Sequence, residues 1–266
     1  MRSIYFKFYI RKKTTTLTEE RRAGIVKIVD EKRSVYVQDL MTLFDASEST
    51  IRRDLTDLDH KGLLTKVHGG AIALENPITT LDVSVIERAN LHKDGKEKIA
   101  KYAASLIVSD DIIFIDAGTT TGIMIDYIAG SNAASATYVT NGLIHGRRLA
   151  ALGCTVYMPS GQVKDKTEAL IGADTCEYLS KMNFTKCFIG SNGVSVPQGL
   201  TTPDKHEALV KDMAIKHSKN KNILADHSKF DTISAVSFAA FESVKIIADN
   251  QISSSYKKFD NIIIAE

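Results

Sequence analysis

The chain has 266 residues, of which 44% are apolar, with 34 Lys and Arg against 32 Asp and Glu, no Trp and three Cys. This length and composition suit two domains or one large domain with a real core, and they exclude collagen-like, disordered and disulfide-framework proteins. The odd number of Cys, without a CxxC pair, indicates reduced, buried thiols and a cytoplasmic protein. We find no run of about 20 apolar residues and expect neither a membrane span nor a signal peptide.

The charge is not evenly distributed. Residues 1–70 carry 14 basic and 10 acidic side chains, which hints at a polyanionic partner for this part of the chain. Five of these basic residues belong to residues 1–16, which we interpret as an extension outside the folded unit. Without them the count is 9 basic against 10 acidic. The net charge of this part of the chain therefore gives no support for a polyanionic partner such as DNA. Any such support has to come from the positions of individual side chains.

Residues 17–74 predict a winged helix-turn-helix, a fold that places one helix in a DNA groove. A helix opens at Thr18, with acids in its first turn, and should end near Glu31–Arg33. A short strand-like run, Val35–Val37, precedes a second helix around residues 40–44, and a third helix is expected over Glu48–His60. After Gly62, residues 63–71 form a strand with a glycine-rich tip, which is the wing.

The third helix carries the most specific signal in the chain. Ile51, Leu55 and Leu58 recur at i, i+4 and i+7 and predict one buried stripe, while Ser47 or Ser49 can cap the helix. The other face holds hydroxyls and two arginines, which suit phosphate oxygens and the acceptor edge of guanine. Three acids on the same helix, Asp54, Asp57 and Asp59, oppose simple charge attraction. The predicted DNA-contacting residues are Ser47, Ser49, Thr50, Arg52, Arg53, Thr56, Lys66 and His68.

An α/β domain is predicted over residues 96–266, after a linker at 75–95 with weak helical periodicity near Val83–Leu91. Its first helix, Lys96–Val108, precedes the apolar run Ile112–Ile115, which is typical of a buried parallel strand. The strand ends in Asp116-Ala-Gly-Thr-Thr-Thr-Gly122 before another helix, an arrangement that binds anions. Neither a Walker motif nor a dinucleotide fingerprint is present, so nucleotide hydrolysis and hydride transfer lack support.

Further strands alternate with helices and predict an open sheet, which binds ligands at the carboxyl ends of its strands. The predicted strands are Thr137–Thr140, Thr155–Met158, Phe184–Ile189, Asn222–Ala225, Ile246–Ala248 and Ile262–Ile264, with a helix at Asp204–His217.

Polar residues collect at these strand ends and on the Asp204–His217 helix. Carboxylates and amides suit sugar hydroxyls, while loop N–H groups and lysines suit phosphate; Gly190–Gly193 marks one further strand end. The predicted effector-binding residues are Asp116, Gly118, Thr119, Thr120, Thr121, Thr140, Asn141, Glu207, Lys211, Asp226 and Lys229. The seven His show no metal-ligand spacing, so we expect neither a metal nor a cofactor.

Several strings resemble the DeoR family of bacterial sugar-operon transcriptional regulators. Ser49-Thr-Ile-Arg-Arg-Asp-Leu55 and Val67-His-Gly-Gly-Ala71 resemble its DNA-binding signature, and Leu17–Arg22 its usual start. The Asp-Ala-Gly-Thr-Thr-Thr loop, the Thr-Asn turn and the Ala-Asp-x-Ser-Lys turn extend the resemblance over residues 17–266. It implies an effector domain similar to ribose-5-phosphate isomerase, a phosphorylated-sugar ligand and a homo-oligomer.

Three local features of the resemblance bear on which ligand the second domain would bind. Thr201–Asp204 looks most like the fructose-operon branch, which points to fructose 1-phosphate. Ser160-Gly161 stands where the family commonly has Gly-Gly, and Asp231 where Gly usually follows Ser-Lys-Phe. Either departure could alter ligand choice.

Two functions remain open from sequence. The first is a regulator, a repressor of a sugar operon, that binds double-stranded DNA and is modulated by a sugar phosphate. The second is a sugar-phosphate isomerase with a DNA-binding appendage, because the α/β site holds carboxylates and a lysine suited to proton transfer. No residue pair is placed as acid and base, so we expect the chain not to be an enzyme.

Overall fold

In the computed structural model, the chain divides into two units, Met1–Glu75 and Asn76–Glu266. The structure describes residues 18–29, 32, 34–73, 78–79 and 85–266. The predicted extension at 1–16 lies outside the described residues, as does the predicted end of the first helix at Glu31–Arg33, apart from Lys32. The predicted linker at 75–95 is described only at 78–79 and 85–95, and the predicted domain boundaries stay predictions.

The first unit has the predicted winged helix-turn-helix fold. Its elements are α1 (18–29), β1 (Ser34–Tyr36), α2 (Val37–Phe44), α3 (Glu48–His60), β2 (Thr65–Val67) and β3 (Gly70–Ile72). The three strands pair antiparallel in the order β1-β3-β2. Ile51, Leu55 and Leu58 are buried, as their spacing predicts, and they pack with Ile25 and Leu40 from the other two helices.

Turn residues position α3. Asp45 ends α2 with a left-handed backbone at φ 46°, a conformation that Asp tolerates better than most residues. Ser47 then caps α3, because its Oγ accepts the N–H of Thr50 at 3.3 Å. Beyond the helix, Gly62 adopts φ 64° and turns the chain toward the wing. The predicted bounds of this helix, Glu48–His60, are confirmed.

The second unit is built on a seven-stranded parallel sheet in the order β17-β16-β13-β10-β5-β6-β7. These strands are β5 (Ile112–Ile115), β6 (Thr137–Thr140), β7 (Thr155–Tyr157), β10 (Phe184–Gly190), β13 (Ser218–Leu224), β16 (Lys245–Ala248) and β17 (Ile262–Ile264). The helices are α4 (Val85–Ala89), α5 (Lys93–Ser105), α6 (Thr119–Met124), α7 (Leu143–Ala151), α8 (Ala173–Ser180) and α9 (Lys205–Lys216). This confirms the predicted open α/β sheet.

Both faces of this sheet are buried. Successive strand residues point to opposite faces, so Ile113 and Ile115 join one apolar cluster, with Ile99 of α5, while Phe114 joins the other, with Val210 of α9. A parallel sheet covered by helices on both sides leaves the carboxyl ends of its strands as the natural place for a site.

Short strands were missed from sequence. They are β4 (Ile78–Thr79), β8 (Gln162–Lys164), β9 (Ala169–Ile171), β11 (Gly193–Ser195), β12 (Gly199–Thr202), β14 (Ile233–Ser234) and β15 (Val236–Ala239). β4, inside the predicted linker, pairs with β14 of the second unit. Helix α5 begins at Lys93, three residues before the predicted start.

Two further expectations concern the cysteines and the membrane. Cys154 and Cys187 are buried and Cys176 is half-buried, all three as free thiols, and burial raises the pKa of Cys187 to about 11. Among the described residues, the structure has no helix with the length and apolar character that crossing a membrane requires.

Candidate functional sites

The first site is the solvent face of α3. Ser47, Ser49, Arg52 and Arg53 are exposed, while Thr50 and Thr56 are half-buried on the same helix. Arg52 pairs with Glu48, one turn before it, at 2.7 Å. Arg53 makes no ion pair or side-chain hydrogen bond within the part of the chain that the structure describes. Both guanidiniums are therefore available to an outside partner, the first at the cost of a weak surface pair.

The three acids that oppose charge attraction differ in burial: Asp54 is buried, Asp57 is half-buried and Asp59 is exposed. Asp54 is 2% exposed and accepts from Arg21 at 2.6 Å and from Arg22 at 2.8 Å. Arg22 also pairs with Asp57. The arginines of α1 thus neutralise Asp54 and Asp57, while Arg52 and Arg53 stay exposed, as do Glu48 and Asp59.

The wing is tied to α3 by two contacts. Asp59 accepts the backbone N–H of Lys66 at 3.0 Å, and Lys66 Nζ donates to Thr56 Oγ1 at 2.6 Å. His68 is exposed at the tip, beside Gly69 with φ 86°. The structure therefore brings the eight residues predicted to contact DNA onto one helix and the wing packed beside it.

The second site is a pocket at the carboxyl ends of neighbouring strands. Asp116 follows β5, Asn141 follows β6, Ser191 follows β10 and Asp226 follows β13, and all four line the pocket. Of the predicted effector residues, nine lie in this lining: Asp116, Gly118, Thr119, Thr120, Asn141, Glu207, Lys211, Asp226 and Lys229.

Asp116 is the best-connected group in the pocket. It is 3% exposed, and its carboxylate accepts backbone N–H groups from Gly118 at 3.0 Å and from Gly190 at 2.9 Å, together with a contact from Lys211. Burial acts to raise the pKa of Asp116, but the Lys211 ammonium and the hydrogen bonds hold that pKa below its ordinary value. Asp116 therefore stays ionised inside the protein.

Three atoms at this pocket lack a partner. Among the described residues, four buried side-chain atoms make no hydrogen bond, and three of them, Asn141 Oδ1, Asp226 Oδ2 and Arg88 Nε, belong to pocket-lining residues. Two are acceptors and one is a donor. Buried polar atoms without partners are rare and costly, so a cluster of them indicates a place that a polar ligand completes.

Two predicted residues are not in the lining. Thr121 Oγ1 lies 2.9 Å from Asp116 Oδ1 and 2.8 Å from the Gly118 carbonyl oxygen, and Thr140 Oγ1 accepts the Gly142 N–H at 3.1 Å. Both are fully buried. They hold the two loops in shape rather than face the pocket, which the residue types alone do not distinguish.

Sequence reasoning missed several lining residues. Arg88 and Lys96 were assigned to a linker or to an ordinary helix, and Thr167 and Asn192 were not singled out as ligands. Lys96 is 2% exposed, donates to the Arg88 carbonyl at 2.5 Å, and has its pKa lowered to about 8 by burial, against the opposing effect of Asp226. A lysine on the apolar face of α5 was the available signal.

Glu207 and Lys211, one helical turn apart on α9, are held by different partners. Its Oε1 accepts from Thr167 Oγ1 at 2.6 Å and from Lys164 at 3.2 Å. Lys211 instead reaches Asp116 and the Gly190 carbonyl. The two side chains therefore make separate contacts within the same pocket.

Asp231 shows why Gly is common at its position in the family that the sequence resembles. Its backbone is left-handed, at φ 57°, and its carboxylate accepts the hydroxyl of Tyr256 at 2.7 Å. Asp tolerates this backbone and adds a contact. Asp at position 231 thus fits the fold, and it is not among the residues that line the pocket.

The spacing of histidines predicts no metal ligands, yet the fold brings two of them together. His92 and His227 lie with Asp226 at the edge of the pocket, with one ligand atom of each within 4.8 Å of the others.

A winged helix-turn-helix with exposed arginines, followed by an α/β unit with a polar pocket, defines a class of DNA-binding transcriptional regulators with a ligand-sensing domain. Residues 21–76 match the DeoR-like helix-turn-helix domain, and residues 91–250 match the DeoR C terminal sensor domain. The chain belongs to the DeoR family.

Individual relatives agree. The chain is 41% identical over 231 residues to the uncharacterized HTH-type transcriptional regulator FruR of Bacillus subtilis, covering 87% of this chain and 90% of that protein. It is 32% identical over 248 residues to the lactose phosphotransferase system repressor of Staphylococcus epidermidis, covering 92% and 97%. The predicted family, fold class and regulatory rather than enzymatic role are confirmed.

The similarity of this chain to solved structures is weak. Ribose 5-phosphate isomerase A from Neisseria gonorrhoeae aligns at a TM-score of 0.38 with 16% identity, over 52% of this chain and 53% of that one. A likeness of this size carries no argument about the second unit.

Proposed function

We propose that the protein is a repressor of a sugar uptake or catabolism operon, and that a phosphorylated sugar in the pocket of the second unit releases it from DNA. The observation that carries the proposal is the set of unpartnered buried atoms Asn141 Oδ1, Asp226 Oδ2 and Arg88 Nε around one pocket. Two acceptors suit sugar hydroxyls, and a guanidinium donor suits phosphate.

The charges of the pocket support an anionic ligand. Lys96, Lys229 and Arg88 line it, and Lys96 is electrostatically coupled to the other two cations and to Asp226. Asp116 is already paired with Lys211, so these two charges cancel and leave the charge balance of the pocket unchanged. An excess of cations in a largely buried site favours a phosphate, and the hydroxyls of Thr119 and Thr120 add donors.

Fructose 1-phosphate is our first choice of effector. The resemblance of Thr201–Asp204 to the fructose-operon branch supports it, as does the 41% identity to FruR. A thermal-shift panel tests this choice, since selective stabilisation grows with ligand concentration relative to the dissociation constant. We expect the largest shift with fructose 1-phosphate; an equal response to fructose, tagatose and glucose phosphates would contradict the choice.

On the DNA side, we propose that α3 enters the major groove with Arg52 and Arg53 as its main contacts. Ser47, Ser49, Thr50 and Thr56 would contact phosphates and base edges, and Lys66 and His68 of the wing the adjacent backbone. We further propose that the protein acts in the cytoplasm as a dimer or tetramer on a repeated operator.

The test is binding to the operator region of its own operon, measured by fluorescence anisotropy at several salt concentrations. Arg52→Ala with Arg53→Ala should weaken binding at least ~30-fold, because each good base contact contributes ~1–3 kcal/mol. Lys101→Ala with Arg147→Ala is the matched control, since it removes two exposed cations from the second unit. Unchanged binding by the first variant would overturn the assignment of α3.

Release by ligand is measured on the same complex. Fructose 1-phosphate should weaken binding of the wild-type protein, because a ligand shifts the equilibrium only by binding the two states with different affinities. Asn141→Ala should lose this response while it retains DNA affinity without ligand. A full response in that variant would show that the effector binds elsewhere.

A further inference from the structure

Three potential metal ligands meet at the edge of the pocket. One ligand atom each of His92, Asp226 and His227 lies within 4.8 Å of the others. The two imidazole rings are edge to face, with centroids 4.8 Å apart and planes at 87°. Two imidazoles and a carboxylate are a common ligand set for zinc and similar divalent transition metals.

His227 is held in the orientation that metal binding needs. Its Nδ1 lies 2.9 Å from Asp249 Oδ2, and Asp249 is 1% exposed. A carboxylate at Nδ1 favours the tautomer that donates there, which leaves the lone pair on Nε2 for a ligand bond. Such a carboxylate behind a histidine is the usual second layer of a metal site.

Asp226 supplies Oδ2, the same atom that the proposed function gives to a sugar hydroxyl, and a carboxylate oxygen has lone pairs for both partners. Its Oδ1 accepts from the backbone N–H of Ser228 at 3.0 Å and from the Ser228 hydroxyl at 2.5 Å. Asp226 is only 1% exposed, and its Oδ2 has no hydrogen-bond partner among the described residues. A buried carboxylate oxygen without a partner is costly, and a metal bond would remove that cost.

His92 is the solvent-exposed member of the set. It is exposed at the start of α5, and its backbone is left-handed at φ 53°. Ligand atoms around a tetrahedral zinc ion stand roughly 3.3 Å apart, given bonds of about 2.0–2.2 Å. We expect a rotation of this exposed ring to close the remaining gap.

We propose that His92, Asp226 and His227 bind one divalent transition-metal ion of the zinc class at the edge of the pocket. Three protein ligands leave a fourth position for water or for an oxygen of a molecule in the pocket, which Asp226 also lines. Lys96 and Lys229 lie near Asp226 and oppose a cation. We therefore expect metal affinity to be modest alone and to rise when an anion occupies the pocket.

Calorimetric titration of the full, chelator-treated chain with ZnCl₂ in a phosphate-free buffer tests the site. We expect one ion per chain. His227→Ala and His92→Asn should each weaken binding at least ~10-fold, since each removes a direct ligand and loss even of outer partners costs 10–100-fold. Asn keeps the left-handed backbone at position 92, so that variant separates loss of the ligand from misfolding.

His206→Ala is the control, because His206 is exposed on α9 outside the cluster and should bind zinc as the wild type does. Titration with Co²⁺ adds a readout, since coordination by imidazole changes its visible absorption and His92→Asn should abolish that change. Absence of stoichiometric binding, or zinc affinity in both cluster variants equal to that of the wild type, would overturn the proposal. The measurement uses neither DNA nor sugar phosphate, so its failure leaves the proposed function standing.

Discussion

The two units place their structural charges differently. In the first, the buried carboxylate of Asp54 is neutralised by Arg21 and Arg22, while Arg52 and Arg53 face solvent on the other side of α3. In the second, the buried carboxylate of Asp116 is neutralised by Lys211, and both line the pocket. Charges that hold the fold are thus separate from the proposed DNA-binding surface in the first unit, whereas they line the proposed effector pocket in the second.

This difference has a consequence for mutational experiments. A variant of the DNA surface should change binding with little effect on stability. A variant of the pocket should change both, because a charge that is left unpaired in the interior destabilises the fold by several kcal/mol.

Lys211→Met should give the largest effect. It leaves the Asp116 carboxylate buried without its cation, and we expect the free energy of unfolding to fall by ~3–5 kcal/mol. Urea unfolding followed by circular dichroism measures it. Lys216→Met is the control, because the Lys216–Asp212 pair on the same helix is exposed and should contribute at most ~1 kcal/mol. A loss below ~1 kcal/mol for Lys211→Met would break the contrast between the units.

Arg22→Met should rank second. It removes the pairs with Asp54 and Asp57, but Asp54 retains Arg21, so we expect a loss of ~1–3 kcal/mol in the first unit. Arg52→Met should change stability by at most ~0.5 kcal/mol, since its pair with Glu48 is exposed. Operator affinity should show the opposite ranking, with a larger loss for Arg52→Met than for Arg22→Met. Equal stability losses in the two variants would show that the surfaces are not separate.

The pH dependence of ligand binding should come from the pocket. Burial lowers the pKa of Lys96 to about 8, and an anionic ligand favours its charged form. Affinity for fructose 1-phosphate should therefore be constant up to about pH 8 and fall ~10-fold for each pH unit above it. Calorimetry between pH 7 and 9.5 measures this slope. In the Lys96→Met variant, the affinity should be lower and independent of pH. If that variant keeps the same pH slope, another group is responsible for the pH dependence.

Glu48→Gln should give the smallest effect. It frees Arg52 from its surface pair, so we expect a stability change below ~0.5 kcal/mol and a few-fold gain in operator affinity at low salt. Anisotropy at two salt concentrations measures the gain. Weaker binding would mean that the Glu48 pair orients Arg52 for DNA rather than competing with it.

Local patterns predicted the backbone of both sites. Periodicity and capping located α3, since the buried stripe and the Ser47 cap are fixed by neighbours within a few residues. The strand ends at Ile115 and Thr140 followed from apolar runs bounded by polar loops. These features depend on short-range interactions, which a single sequence displays directly.

Long-range partners could not be predicted. The inward direction of Asp54 depends on Arg21 and Arg22, which lie 33 and 32 residues earlier in the chain. The partner of Lys211 is set by which strand lies beside β5. Thr121 and Thr140 have the same chemistry as the lining residues Thr119 and Thr120, and only the loop backbone separates them. Side-chain type identifies candidates, whereas the fold decides which of them face the ligand.

The order of strands in the large sheet bears on how the protein is made. β5 pairs with β10, and β10 with β13, so the pocket requires residues as late as Lys229, whereas the contacts of the first unit fall within the first 75 residues. At typical synthesis rates, the remaining residues follow over roughly 10 to 40 s. The nascent chain therefore presents the complete proposed DNA-binding surface on the ribosome before the proposed effector pocket exists.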